Sequence, residues 1–149
     1  GIPISKRMQE FLKSYQGLKD GEVISRLLSH FSNGGFRYSL QPPPTNSLDD
    51  FFFQTKTGFC EHYAATMASL LRALKIPARV VVGFQGGTPS FLENYITVRG
   101  YDAHAWIEYY DRFAKRWRRV DPTAQVNADR LAQGGQSYLN QGTSWLWGS

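Results

Sequence analysis

One cysteine, three histidines and two methionines stand among the 149 residues of this chain. A lone cysteine excludes an intramolecular disulfide framework, so the thiol says nothing about an oxidising or reducing compartment. No apolar run approaches the roughly 18 residues of a membrane span, and no stretch reads as a signal peptide. Neither sign of charge dominates. Seventeen basic residues against twelve acidic ones leave +5, a moderate excess that does not predict a nucleic-acid partner. The chain starts at Gly1 and not at a methionine. The expectation is therefore a domain excised from a longer protein, in which missing targeting segments mean little.

What is present suits one packed domain over residues 1–149. Apolar residues make up 42% and aromatics 15%, enough to bury a core without staples. Met8, Phe11, Leu12 and Tyr15 recur at helical spacing, as do Val23, Ile24, Leu27, Leu28 and Phe31. Asn33-Gly34-Gly35 stops the second helix. Gln41 to Asn46, with three prolines, reads as an extended loop. Ser47-Leu48-Asp49-Asp50 reads as a capped turn of helix leading into Phe51-Phe52-Phe53. From Cys60 to Leu74 the pattern is apolar almost all round, which predicts a helix buried inside the core. Lys75-Ile76-Pro77 ends it.

The period then changes. Arg79–Phe84 predicts a buried strand, Gln85–Leu92 a loop, and Asn94–Arg99 a second strand. His104–Tyr110 and Arg116–Val120 predict a hairpin. The Gly/Gln/Ser-rich tail from Gln133 to Ser149 predicts no regular structure. Helices followed by consecutive strands imply an α+β fold with an antiparallel sheet.

Cys60 sits just after Gly58-Phe59, at the start of the core helix. Free N–H groups and the helix dipole favour a thiolate there. Gly58, lacking a side chain, is expected to let a substrate approach the sulfur. A histidine is the usual base for such a nucleophile, and a carboxylate on its second nitrogen completes a triad. His104 and Asp121 qualify. With a turn at Asp111–Ala114, Tyr110 faces Lys115, His104 faces Asp121, Trp106 faces Arg119 and Glu108 faces Trp117. An even slip of that register leaves His104 diagonal to Asp121, and an odd slip separates their faces.

Four segments now stand in order: Gly58-Phe59-Cys60-Glu61-His62-Tyr63-Ala64, Ile76-Pro77-Ala78-Arg79-Val80-Val81, His104-Ala105-Trp106-Ile107-Glu108 and Val120-Asp121-Pro122-Thr123. Together they resemble the transglutaminase-like core, best over about residues 50–126, and most closely the TgpA-type bacterial members. The resemblance implies a papain-like α+β fold with N-terminal helices and a central helix on the sheet. It also implies Cys60 as nucleophile, His104 as base and Asp121 as the residue orienting it. The implied reaction is acyl transfer: the thiolate attacks a glutamine side-chain amide, ammonia leaves, and a primary amine such as lysine, or water, resolves the thioester. The implied partners are thus a glutamine-bearing protein or peptide and an amine acceptor. The implied location is the periplasmic side of a bacterial inner membrane, with no membrane contact by this fragment itself. Animal members need calcium; this chain shows no EF-hand-like ligand run, so neither metal nor other cofactor is expected.

Bland readings remain for several residues. Gln54, six residues before Cys60, has the spacing of the oxyanion glutamine in papain-type proteases, but equally suits a solvated loop; the Cys60 N–H is the other candidate donor. Trp106, on the His104 face, either walls the acyl site or fills core. His62 lies about 200° round the helix from Cys60 and is expected to be structural or at the cleft rim. His30 is expected to be an ordinary helix residue. The cluster Lys115–Arg119 divides its charges between two strand faces and is read as a solvated edge. The loop from Phe84 to Ser90 is a candidate for shaping access. Other functions left open are a cysteine peptidase, amidase or deamidase, a catalytically silent binding module, and a zinc site built from Cys60, His62, His104 and Asp121.

Overall fold

The computed structural model describes residues 4–84, 103–124 and 126. The predicted strand at 94–99, most of the loop at 84–92 and the tail from 133 fall outside the described residues. Two helices come first. α1 (Lys6–Phe11) is capped by the Ser5 hydroxyl, which accepts from the Met8 N–H at 3.1 Å, and a 3-10 turn, Leu12–Tyr15, follows. α2 (Asp20–Asn33) carries Asp20 and Glu22 in its first turn, where the dipole favours them, and stops at Gly34-Gly35, with Gly35 at φ 84°. Its buried stripe is Val23, Ile24, Leu27 and Phe31.

The loop from Gln41 carries no regular structure, as the prolines dictate. The Ser47 hydroxyl then accepts from the Asp50 N–H at 3.1 Å. The turn begun there does not end but widens into a π-helical stretch, Asp50–Thr55, closed by the Lys56 N–H on Phe51 O at 2.9 Å. Widening turns both Phe51 and Phe52 into the core. Two short parallel strands, β1 (Arg37–Tyr38) and β2 (Thr57–Gly58), pair beside it.

α3 (Cys60–Ala73) is the central helix. It buries Tyr63, Ala64, Thr66, Met67, Ala68, Leu70 and Leu71, the all-round burial that its pattern predicts. The Tyr63 hydroxyl donates to Arg37 O at 2.6 Å, and Ser39 N–H donates to Gly58 O at 2.8 Å. The segment entering α3 is therefore held on two sides by β1. The chain leaves α3 through Lys75 at φ 68°.

α3 packs on a three-stranded antiparallel sheet in the order β3 (Ala78–Phe84), β4 (Ala103–Asp111), β5 (Arg116–Val120). The fold is thus α+β. Two expectations need correction. β3 is an edge strand among the described residues and is not buried throughout, since Val82 is 63% exposed. The hairpin register is also displaced by two residues. Ile107 pairs with Val120, Glu108 with Arg119, Tyr110 with Trp117 and Asp111 with Arg116.

Asp111 causes the displacement. Its Oδ1 accepts from the N–H groups of Phe113 and Ala114, both at 2.9 Å, while Arg118 Nε donates to Oδ2 at 2.6 Å. An aspartate that caps the turn belongs at its first position and pairs across it, not inside it. The loop is therefore Arg112–Lys115, with Lys115 at φ 59°. The basic cluster does divide between faces, with Arg118 beside Tyr109 and Arg119 beside Glu108.

Candidate active site

Cys60 is the first residue of α3 and is 5% exposed. Helix geometry leaves the first N–H groups of α3 without intrahelical acceptors, so the sulfur sits at the positive end of a fourteen-residue dipole. β4 approaches it from the sheet. The backbone N–H of Ala105 donates to Cys60 Sγ at 3.4 Å. The neighbouring residue, His104, hydrogen-bonds the same sulfur with its ring.

His104 is 2% exposed. Its Nε2 bonds Asp121 Oδ2, which leaves Nδ1 as the ring nitrogen for the thiol. The register displacement had set His104 diagonal to Asp121 and not opposite it. An even displacement keeps both on one face, and the diagonal is short enough for these two side chains to meet. Burial acts most strongly on the imidazole and opposes its charge. The hydrogen bonds from Asp121 and Cys60, with the charges of both, outweigh that and raise its pKa to about 9.

Asp121 is itself held. The N–H and hydroxyl of Thr123 both donate to its Oδ1, at 2.9 and 2.6 Å, and Thr123 is fully buried. An aspartate accepting from the residue two positions on is an Asx turn. The turn-forming and histidine-orienting readings of Asp121 are thus one geometry, with one oxygen for each. Thr123 was not singled out as a site residue. The signal that could have found it was the Asp-x-Thr spacing. Thr123→Val, which keeps the N–H but removes the hydroxyl, is expected to destabilise the fold by about 1.5–3 kcal/mol, the usual worth of a hydrogen bond to a charged acceptor. Urea denaturation measures it.

Trp106 shares the His104 face, its ring 6.2 Å from the imidazole and tilted by 23°. It is set between Gly83, where an added Cβ would lie 2.8 Å from the indole, and Arg119, whose guanidinium is 4.0 Å from the ring centre. Gln54 is exposed on the π-helical turn. His30 is a residue of α2, as expected, and packs on Phe11, Phe52 and Phe36 at 4.9, 5.0 and 5.6 Å. Burial, and then Lys56, holds its pKa below the ordinary value.

His62 points elsewhere. Its Nδ1 accepts from the Phe59 N–H at 3.1 Å. That turns it from the sulfur, and among the described residues no group of three or more His, Cys, Asp or Glu converges as a metal site. Gly58 also has a packing reason of its own. A Cβ there would lie 2.7 Å from His62 Cγ and 2.8 Å from Nδ1, so the glycine makes room for the histidine.

Comparison with known proteins gives the family and the fold. The model of the transglutaminase-like superfamily matches residues 9–122. A protein-glutamine gamma-glutamyltransferase of Pseudomonas aeruginosa is 45% identical over 126 residues, which is 83% of this chain and 19% of that protein. A Bacillus subtilis protein, YebA, described as uncharacterized, is 36% identical over 81 residues, 51% of this chain and 11% of its own. Crystal structures of the periplasmic domain of TgpA from Pseudomonas aeruginosa, one of them bound to ethylmercury, superpose with a TM-score of 0.73 at 40% identity. They cover 88% and 92% of this chain. The chain spans about half the length of those solved domains, 49% in each, and a fifth or less of the curated relatives. No helix among the described residues is long and apolar enough to cross a membrane. The extent of the family match, with fold and relatives in agreement, establishes that this chain belongs to the transglutaminase-like superfamily.

Proposed function

We propose that this chain is a cysteine acyltransferase of the protein-glutamine gamma-glutamyltransferase type, with Cys60 as nucleophile, His104 as base and acid, and Asp121 as its orienting carboxylate. The observation that supports it is the unbroken contact from the Cys60 sulfur through the His104 ring to the Asp121 carboxylate. The Cys60 thiolate attacks the side-chain amide carbon of a glutamine, forming the C–S bond. The Cys60 N–H, and Gln54 as second candidate, receive the oxyanion. His104 gives its proton to the departing nitrogen, the C–N bond breaks and ammonia leaves. A primary amine then attacks the thioester while His104 takes up a proton; a new amide forms and the thiolate departs. Trp106 walls the acyl site. No cofactor or metal enters any step.

On this reading residues 1–149 form one domain with its core at 50–126, carried on the periplasmic side of a bacterial inner-membrane protein. Its partners are a glutamine-bearing protein or peptide and an amine donor, not a nucleic acid. The test is incubation with a glutamine-rich protein and a labelled primary amine, with Cys60→Ala as the blank. Label in the product, together with ammonia, supports transfer. Ammonia or peptide fragments without label favour deamidase, amidase or peptidase chemistry on the same residues. Folded protein with no reaction at all favours a binding module.

A further inference from the structure

Phe59 immediately precedes the nucleophile, and one residue ties both of its backbone groups. Its N–H is held by His62 Nδ1 at 3.1 Å, and its carbonyl accepts the His62 N–H at 2.9 Å. Glutamate or glutamine commonly supplies the first of these bonds, from the third residue of a helix back to the cap. Here a histidine occupies that third position. Its ring is seated for the purpose: it meets Phe59 edge-on at 4.6 Å and Phe51 at 5.4 Å, and Gly58 leaves the space that any Cβ would fill. Phe59 stands at φ −113°, ψ −175°. That ψ sets the plane of the Phe59–Cys60 peptide, hence the direction of the Cys60 N–H and the bearing of Sγ.

We propose that His62 is a positioning residue for the nucleophile: its unprotonated Nδ1 locks the Gly58–Phe59 peptide while its backbone N–H holds the Phe59–Cys60 peptide, and together they fix Phe59 at the entrance to α3. The inference rests on Cys60 being the nucleophile of the proposed function. An isosteric apolar side chain would leave the Phe59 N–H without its acceptor and free the Gly58–Phe59 peptide, leaving Phe59, and through it the bearing of Cys60, held from one side only. Misplacement by an ångström costs a reaction up to about 100-fold. Protonation of Nδ1 has the same effect, because a protonated nitrogen cannot accept the Phe59 N–H. Burial lowers the His62 pKa, with Glu61 on the same helix opposing. The groups meeting the ring from β2 and the π-helical stretch, Gly58 and Phe51, carry no charge.

Two rates test this: alkylation of Cys60 by iodoacetamide and incorporation of a labelled amine, in wild type, His62→Leu, His62→Gln and Gly58→Ala, from about pH 5 to about pH 9. His62→Leu and Gly58→Ala are expected to slow alkylation about 10–100-fold, and His62→Gln to stay within about threefold of wild type, because glutamine closes the same box. Below neutral pH the wild-type rate should fall more steeply than that of His62→Gln, which has no ring nitrogen to protonate at that position. A folded His62→Leu as fast as wild type overturns the proposal, and so does a His62→Gln as slow as His62→Leu. Should His62→Leu not fold, the acid profile of His62→Gln decides: the wild-type steepness there is equally fatal. Alkylation needs no acyl substrate. If its ratios follow the proposal while no variant incorporates amine, the positioning role stands and the transferase reading fails.

Discussion

Cys60→Ala is expected to reduce amine incorporation to the uncatalysed background, and Asp121→Asn to lower kcat by about 10³–10⁴-fold with the fold intact. The two losses differ in cause. Without sulfur no thioester forms, and nothing else among the described residues lies where it can replace it. Asparagine keeps the shape of Asp121, and its amide oxygen still reaches Thr123 or His104. It carries no charge, however, and presenting its NH2 to Nε2 reverses the donor on that nitrogen. His104 then holds the wrong tautomer, so Nδ1 meets the thiol with the wrong proton inventory. Steady-state incorporation rates with thermal unfolding measured alongside separate chemistry from stability. An Asp121→Asn protein within tenfold of wild type in kcat would remove Asp121 from the mechanism.

The second large effect is set by pH. His104 is expected to titrate at about 9, and Asp121→Asn to bring its midpoint down, since burial then acts against the imidazolium with one fewer carboxylate opposing it. Side-chain NMR of the imidazole across pH reads both. The rate should decline as pH rises through about 9, because a neutral His104 has no proton for the departing ammonia. Stability follows the same group. The folded pKa lies above the ordinary 6.5, so the bonds around imidazolium stabilise the fold fully below pH 6.5 and are lost as pH rises through about 9. The gap corresponds to about 3 kcal/mol for this buried ring. Urea unfolding should show wild type losing more stability than Asp121→Asn over that interval. Equal slopes for the two proteins would sink the assignment.

Much of this was legible in residue order. The helix at Cys60 announced itself by apolar residues on every side, because a helix with no polar face must be central. Strand alternation placed His104, Trp106 and Asp121 on one face. That prediction survived a register wrong by two because a face depends only on parity. The register itself depended on Asp111, a residue whose carboxylate caps the turn it begins. Pattern read it as a member of the turn because burial carries no information at an exposed loop. His62 was recognised as the wrong histidine for the thiol, since 200° of helix separates them, yet its real bond to Phe59 required knowing that the backbone N–H was there to be met.

The sequence alone therefore determined the fold class, the one available thiol, its place at a helix start, and a histidine and aspartate on neighbouring strands. These follow from periodicity and composition, which are local. Only the tertiary structure decided that β4 brings the Ala105 N–H and the His104 ring to the same sulfur, that Thr123 holds the second oxygen of Asp121, and that the space beside Gly58 is filled by His62. Each of those is a contact between backbone or side-chain atoms far apart in sequence or hidden in a turn. Close packing chooses the contacts at the sulfur and at Gly58, which no spacing rule encodes; the Thr123 contact alone has a local signal, the Asp-x-Thr spacing.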